Sequence, residues 1–222
     1  MTGLFMSYTM SEIGGLPEWI DPSRVALCVI DMQVDFASPN GVLGGYGVDM
    51  SAVPAAIAQT EKLIAAARIA NVPVIFVGLE TSPETDSPVW AERMRRREGD
   101  PDAESNVCRK GTKGVEFYGP QPQAGDPVVM KPKYSAFYAT GFEALLKTLG
   151  VDTLVMCGLT TECCIDCTVR DAFHRDYHII IADDACAAYG ADIHEAALRM
   201  LELNCAIIRP TEKIAAVWEG RV

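Results

Sequence analysis

Three cysteines fall within five positions, Cys163, Cys164 and Cys167, in the stretch GLTTECCIDCTVRDAF from Gly158 to Phe173. Thiols so spaced serve zinc ligation, dithiol redox exchange, a single nucleophile with bystanders, or plain packing as small apolar side chains. A structural zinc takes four ligands, usually as two separated pairs, and the chain has no second C-x-x-C. His174 lies ten residues beyond Cys164 and no histidine precedes it. Along a helix that offset is about 15 Å, too far to share one ion. A dithiol of Cys164 and Cys167 fits better, because C-x-x-C at a helix start after a strand is where redox pairs occur.

A single nucleophile has separate support. Gly158-Leu-Thr-Thr reads as the end of a strand, with a helix beginning near Cys163 or Cys164. A thiol in the first turn faces the positive end of the helix dipole and its unpaired N–H groups. That setting lowers a thiol's pKa and supplies donors for an oxyanion. A free thiol, with a pKa of about 8.5, is only slightly ionised at neutral pH and still needs a base. His194, at the start of a later helix, and Asp31, directly after the apolar run VALCVI, are the candidates. Taken singly, a histidine at a helix start is commonly a surface residue, and a carboxylate at a strand end commonly caps a turn. Lys131, after the run PVVM, would in isolation be an ordinary surface lysine. Jointly, Asp31, Lys131 and Cys164 each follow a separate apolar run.

The elements that must position them are legible in the pattern. Six short runs rich in Val, Ile and Leu occupy 25–30, 73–78, 127–130, 153–158, 178–183 and 205–210. They are continuous rather than alternating, as parallel strands covered on both faces are. Helical patterns over 51–71, 141–150, 162–176 and 192–204 lie between them. Strand and helix alternate, which implies a three-layer α/β/α doubly wound, Rossmann-like sheet of about six parallel strands. Residues following the strands then gather at one edge. With no internal repeat and no linker, 1–222 reads as a single domain, with 1–24 as an N-terminal extension. Residues 80–126 break the rhythm. Within them Ser87 and Pro88 open a short helix, and Arg109, Lys110 and Lys113 form a basic island suited to a solvated surface, an oligomer contact or a lid.

The bulk properties narrow the classes. A net charge of −11 argues against nucleic acid and against anionic membranes as partners. No run approaches the length of a membrane span and the first residues lack a signal-peptide pattern, so a cytoplasmic protein is expected. Eight cysteines in 222 residues, several inside the apolar runs, do not form a disulfide scaffold.

IDMQVDF (30–36), KPKYSAF (131–137) and GLTTECCIDCTVRDA (158–172) resemble, in order, the three signature blocks of the isochorismatase-like cysteine hydrolase superfamily. The resemblance runs from about Val25 to Arg209 and leaves out the first 20-odd residues and parts of 80–126. It implies a triad of Asp31, Lys131 and Cys164, with Lys133 as the second choice for the lysine. It also implies a cis peptide between Thr160 and Thr161, an oxyanion hole from the backbone N–H groups of Thr161 and Cys164, and a homo-oligomer, dimer or tetramer. Gln33, Phe36, Tyr134, Phe137, Tyr138 and Asn204 are the candidate substrate contacts, each equally open to plain packing or capping.

Nicotinamidases of this superfamily carry a metal held by an aspartate and histidines downstream of the first block, and no histidine stands there. Isochorismatases proper commonly lack the cysteine that is present here. Both departures favour a metal-independent amidohydrolase without cofactor, acting on a small-molecule amide, ureido or N-carbamoyl substrate through a covalent Cys164 acyl-enzyme. A nicotinamidase or isochorismatase-type activity, a C-x-x-C redox protein and a catalytically silent scaffold are the alternatives.

Overall fold

The computed structural model describes residues 14–221. Val25–Ile30 (β1), Val74–Leu79 (β2), Val128–Lys131 (β3), Thr153–Leu159 (β4), His178–Ala187 (β5) and Ile207–Arg209 (β6) form one sheet. Its order is β3-β2-β1-β4-β5-β6 and every neighbouring pair is parallel. The helices are Leu16–Trp19 (α1), Val34–Ala37 (α2), Val42–Gly45 (α3), Val53–Ile69 (α4), Pro88–Arg96 (α5), Phe142–Leu149 (α6), Asp166–Phe173 (α7), Ala191–Asn204 (α8) and Thr211–Trp218 (α9).

β1, β2 and β4 are buried along their whole length, which is why their sequences read as unbroken apolar runs. Alternate residues of β1 serve opposite faces. Val25, Leu27 and Val29 pack with Val53, Leu63 and Ala66 of α4 and Ile214 of α9. Ala26, Cys28 and Ile30 pack with Phe142 and Leu146 of α6 and Val169 of α7. Phe142 and Leu146 are fully buried, and burying each stabilises the fold by about 1.5–3 kcal/mol. The three-layer arrangement expected from the sequence is the one present.

Local signals hold at several boundaries. Gly150 ends α6 in the left-handed conformation at φ 69°, where a residue without a Cβ is unstrained. Ser87 caps α5 and accepts a hydrogen bond from the Trp90 N–H at 3.3 Å. Three details differ from expectation. The non-proline cis peptide joins Leu159 to Thr160, one bond earlier than expected. The helix after β4 begins at Thr161 with a π-helical turn, Thr161–Ile165, that continues into α7. β5 runs on to Ala187, because a register shift against β4 between Met156 and Gly158 lets pairing resume at Cys186 and Ala187.

Residues 80–126 fold onto the turn that follows β1. Gln33 forms an isolated bridge with Phe117 and Thr81 one with Arg109. Val34 N–H donates to Glu116 O at 2.9 Å, and Tyr118 N–H donates to Met32 O at 2.8 Å. The Asp35 carboxylate accepts from Cys108 N–H at 2.7 Å and from Val42 N–H at 3.1 Å. A Cβ on Gly114 would lie 2.0 Å from that carboxylate, so only glycine allows the approach. Among the described residues no helix is long and apolar enough to cross a membrane.

Candidate active site

β1 and β4 are neighbours at the point where strand order reverses, the usual crevice of an open parallel sheet. Gly158 of β4 pairs with Ile30 of β1. At φ 122°, its missing Cβ would fall 2.0 Å from the Ile30 carbonyl oxygen. Asp31 follows immediately, at φ 49°, anchored by its own N–H to Val77 O at 2.8 Å. Lys131, the last residue of β3, is separated from β1 by β2. Two strand spacings are about 9–10 Å, a gap that a lysine stem crosses.

The Lys131 ammonium uses its donors on Asp31 Oδ2 at 2.7 Å, the Lys133 carbonyl oxygen at 3.2 Å and Cys164 Sγ at 3.5 Å. Asp31 and Lys131 are fully buried and Cys164 is 3% exposed. Asp31 Oδ1 is buried with no hydrogen-bond partner among the described residues. The structure thus brings together the aspartate, lysine and cysteine that the sequence grouped. It separates the two lysines, because Lys133 Nζ donates to Thr85 O at 3.0 Å and lies 4.0 Å above the Trp90 ring.

Electrostatics sets the resting protonation. Burial pushes the Asp31 carboxyl up, against the opposing pull of Lys131 and Cys164. Burial works against the Lys131 ammonium, but the charge and hydrogen bond of Asp31 overcome it and raise its pKa. The Cys164 thiol is raised rather than lowered, by the neighbouring Cys163 thiol first, then by burial and the Asp31 charge. The helix start lowers a thiol's pKa only where local charge and solvent do not outweigh it. A neutral thiol beside a carboxylate that can take its proton is the result.

The other residues singled out in the sequence lie elsewhere. His194 does not pair with Cys164; its Nδ1 is 2.8 Å from the Thr161 hydroxyl. Gln33 is buried, with its amide wholly engaged: Nε2 donates to Leu79 O and Val115 O, and Oε1 accepts from Leu79 N–H. Those bonds tie the turn after β1 to the end of β2 and to segment 80–126 and use the amide's donors there. Phe137 belongs to the core, 4.9 Å from the Phe142 ring. Tyr138 is exposed.

Asn204 stands at the opposite sheet edge, since a helix returning between parallel strands ends where the next strand begins. There it donates to Met200 O and lines a cavity of ≈ 650 Å³ with Arg24, Thr153 and His178, away from the triad. Phe36 and Tyr134 stay near the crevice. Phe36 packs between the core and the cluster of Leu79, Val107 and Cys108. Tyr134 stacks on Trp90 at 4.9 Å and donates to Glu104 at 3.1 Å.

Tyr189, just past β5, escaped sequence reasoning because the apolar run stops at 183. Its hydroxyl donates to Phe36 O at 2.7 Å. Burial first, then neighbouring acidic groups led by Glu162, raise its pKa. Two of the basic island's cations are engaged within its own segment: Arg109 pairs with Asp86, and Lys110 lies 3.7 Å from Glu80. All eight cysteines are free. Among the described residues, no group of three or more His, Cys, Asp and Glu side chains is arranged to hold a metal.

The isochorismatase domain family matches residues 25–213. The chain belongs to this family. Ureidoacrylate amidohydrolase RutB of Methylobacterium radiotolerans is 35% identical over 198 residues, covering 84% of this chain and 76% of that protein. RutB of Pantoea ananatis is 34% identical, covering 79% of this chain and 74% of that protein. Among solved structures, a cysteine hydrolase from Pseudomonas syringae pv. phaseolicola superposes with TM-score 0.77 at 30% identity, covering 92% of this chain and 96% of that one. N-carbamoylsarcosine amidase from Thermoplasma acidophilum superposes with TM-score 0.66 at 27% identity, covering 85% and 97%. Family membership accounts for the three-layer fold and for the order of the three sequence blocks. In this member one residue of each block, Asp31, Lys131 and Cys164, meets the other two at one buried point.

Proposed function

We propose that the protein is a metal-independent cysteine amidohydrolase that cleaves a small ureido or N-carbamoyl amide through a covalent Cys164 acyl-enzyme. That it is a hydrolase of amide C–N bonds follows from its family and its curated relatives. The covalent mechanism rests on one observation: Lys131 Nζ lies 2.7 Å from Asp31 and 3.5 Å from Cys164, with all three side chains out of water.

Asp31 takes the thiol proton as Cys164 Sγ attacks the substrate carbonyl carbon. Lys131 holds Asp31 in place and offsets the growing negative charge. The N–H groups of Thr161 and Cys164, in the first turn after β4, receive the oxyanion. Such a donor is worth about 3–4 kcal/mol in other hydrolases. Collapse of the intermediate breaks the C–N bond, and protonated Asp31 returns its proton to the departing amine or ammonia. Water, deprotonated by the same carboxylate, then cleaves the thioester or thiocarbamate. The raised pKa of buried Asp31 suits both directions of transfer.

The test is ammonia release from ureidoacrylate, N-carbamoylsarcosine, other N-carbamoyl amino acids, biuret, maleamate and nicotinamide, with EDTA present. Wild type should turn over at least one ureido or N-carbamoyl compound and Cys164→Ala none. Comparable turnover by Cys164→Ala, or turnover abolished by EDTA, would overturn the proposal.

A further inference from the structure

Thr161 opens the turn that carries Cys164, and it is fully buried. The backbone of this turn is pinned from one side: Cys163 N–H and Ile165 N–H both donate to Thr160 O at 3.1 Å. From the other side comes a side chain of a different element, His194 in the first turn of α8, with Nδ1 2.8 Å from Thr161 Oγ1. Its own N–H is fixed to Gly190 O at 3.0 Å, so the histidine ties two helix starts together across the strand ends. The thiol, by contrast, has Lys131 as its hydrogen-bond donor.

We propose that His194 is a positioning residue, which through the Thr161 hydroxyl fixes the orientation of the turn whose N–H groups receive the oxyanion. This rests on the cysteine amidohydrolase function proposed above. The groups acting on the ring are consistent with it. Burial holds the imidazole below the usual histidine range, against the opposing charges of Asp183 on β5, Glu162 on the turn and Glu195 on α8. At neutral pH the ring is therefore uncharged. With its proton on Nε2, Nδ1 accepts a hydrogen bond from the Thr161 hydroxyl. Asp183 also carries a buried carboxylate oxygen with no hydrogen-bond partner among the described residues. A general base would need reach to the thiol proton, whereas the ring nitrogen that is placed here meets a threonine.

A misplaced turn weakens transition-state contacts far more than ground-state ones. His194→Ala should therefore lower kcat about 10- to 100-fold with KM changed less than about threefold. His194→Asn, whose amide falls where Nδ1 was, should recover most of the loss. Thr161→Val should match His194→Ala, and the double variant should be no worse than either single, since the two act as a unit. Multiplying effects, a loss confined to KM, or wild-type rates in His194→Ala would overturn the assignment.

A second readout needs no substrate. Propionaldehyde adds to the Cys164 thiol: the S–C bond forms, the C=O π bond opens, and the thiol proton ends on the oxygen, which lies at the turn. Protection of Cys164 from iodoacetamide, followed on its peptide by mass spectrometry, measures that adduct. His194→Ala should weaken protection tenfold or more while alkylation without aldehyde stays within twofold of wild type. Unchanged protection would overturn the positioning role, and a parallel fall in alkylation would make His194 the base instead. Absence of protection in wild type itself would overturn the nucleophile assignment beneath it.

Discussion

Lys131→Met isolates what the buried ion pair does. The pair is 2.7 Å apart with both side chains fully buried. At an effective dielectric of about 20, its attraction is about 6 kcal/mol, and withdrawing both charges from water offsets much of that. Removing one partner leaves the other charge stranded and typically costs about 3–5 kcal/mol. Against a total stability of about 5–15 kcal/mol, the variant should fold but unfold at a much lower denaturant concentration.

The loss should depend on pH. Without Lys131, the Asp31 carboxyl keeps a folded-state pKa above its unfolded value, because burial, the largest influence on it, is then opposed only by hydrogen bonds from Cys164 and the Leu79 backbone. The penalty is then absent below the unfolded pKa, grows by about 1.4 kcal/mol per pH unit as pH rises between the two values, and levels off above the folded one. Guanidinium unfolding followed by tryptophan fluorescence at pH 5 and pH 8 reads this directly. Stability relative to wild type should fall more at pH 8 than at pH 5. Adding Asp31→Asn removes the stranded charge and should restore about 1–4 kcal/mol at pH 8 without restoring turnover. Asparagine also tolerates the positive φ of position 31. An equal loss at both pH values, or a double variant no more stable than Lys131→Met, would refute the pair's energetic role.

Three further outcomes follow from the same geometry. Gly158→Ala places a Cβ 2.0 Å from the Ile30 carbonyl at φ 122° and should destabilise by about 3 kcal/mol or more, read by denaturant midpoint. Asp35→Ala frees the N–H groups of Cys108 and Val42. It should lower stability by about 1.5–3 kcal/mol per lost bond and speed alkylation of Cys164 as segment 80–126 loosens. Because burial raises Asp31 and the base must be deprotonated, kcat/KM should fall on acidification at a pH above the usual carboxylate range. A flat profile down to about pH 4 would contradict that.

Much of the site was legible because it is built on strand ends. Asp31, Lys131 and Cys164 each follow a separate apolar run, and parallel topology carries such positions to one edge. What failed depended on distance along the chain or on direction. Gln33 looked like a pocket residue because it neighbours Asp31, yet its partners are Leu79 and Val115, 46 and 82 residues away. Asn204 ends α8, which returns from the carboxyl ends of the strands to where β6 begins, so it stands at the sheet edge opposite the triad. The preference for Lys131 over Lys133, by contrast, was legible from the motif and from its place directly after PVVM, and Lys131 is the one that meets Asp31 and Cys164. The helix dipole favours a lowered thiol pKa, but the adjacent Cys163 thiol first, then burial and the Asp31 charge that only the fold supplies, raise it instead. β5 outran its apolar run because Asp183 and Asp184 sit within a strand that resumes pairing at Cys186.

The most direct test is to find the acyl group. Wild type turning over a ureido or N-carbamoyl substrate would be quenched in acid within milliseconds, digested and analysed by mass spectrometry. The acyl or carbamoyl mass should appear on the peptide at Cys164, and Cys164→Ala should carry no adduct and release no ammonia. An adduct on Cys163 or Cys167, or undiminished turnover by Cys164→Ala, would contradict a Cys164 acyl-enzyme.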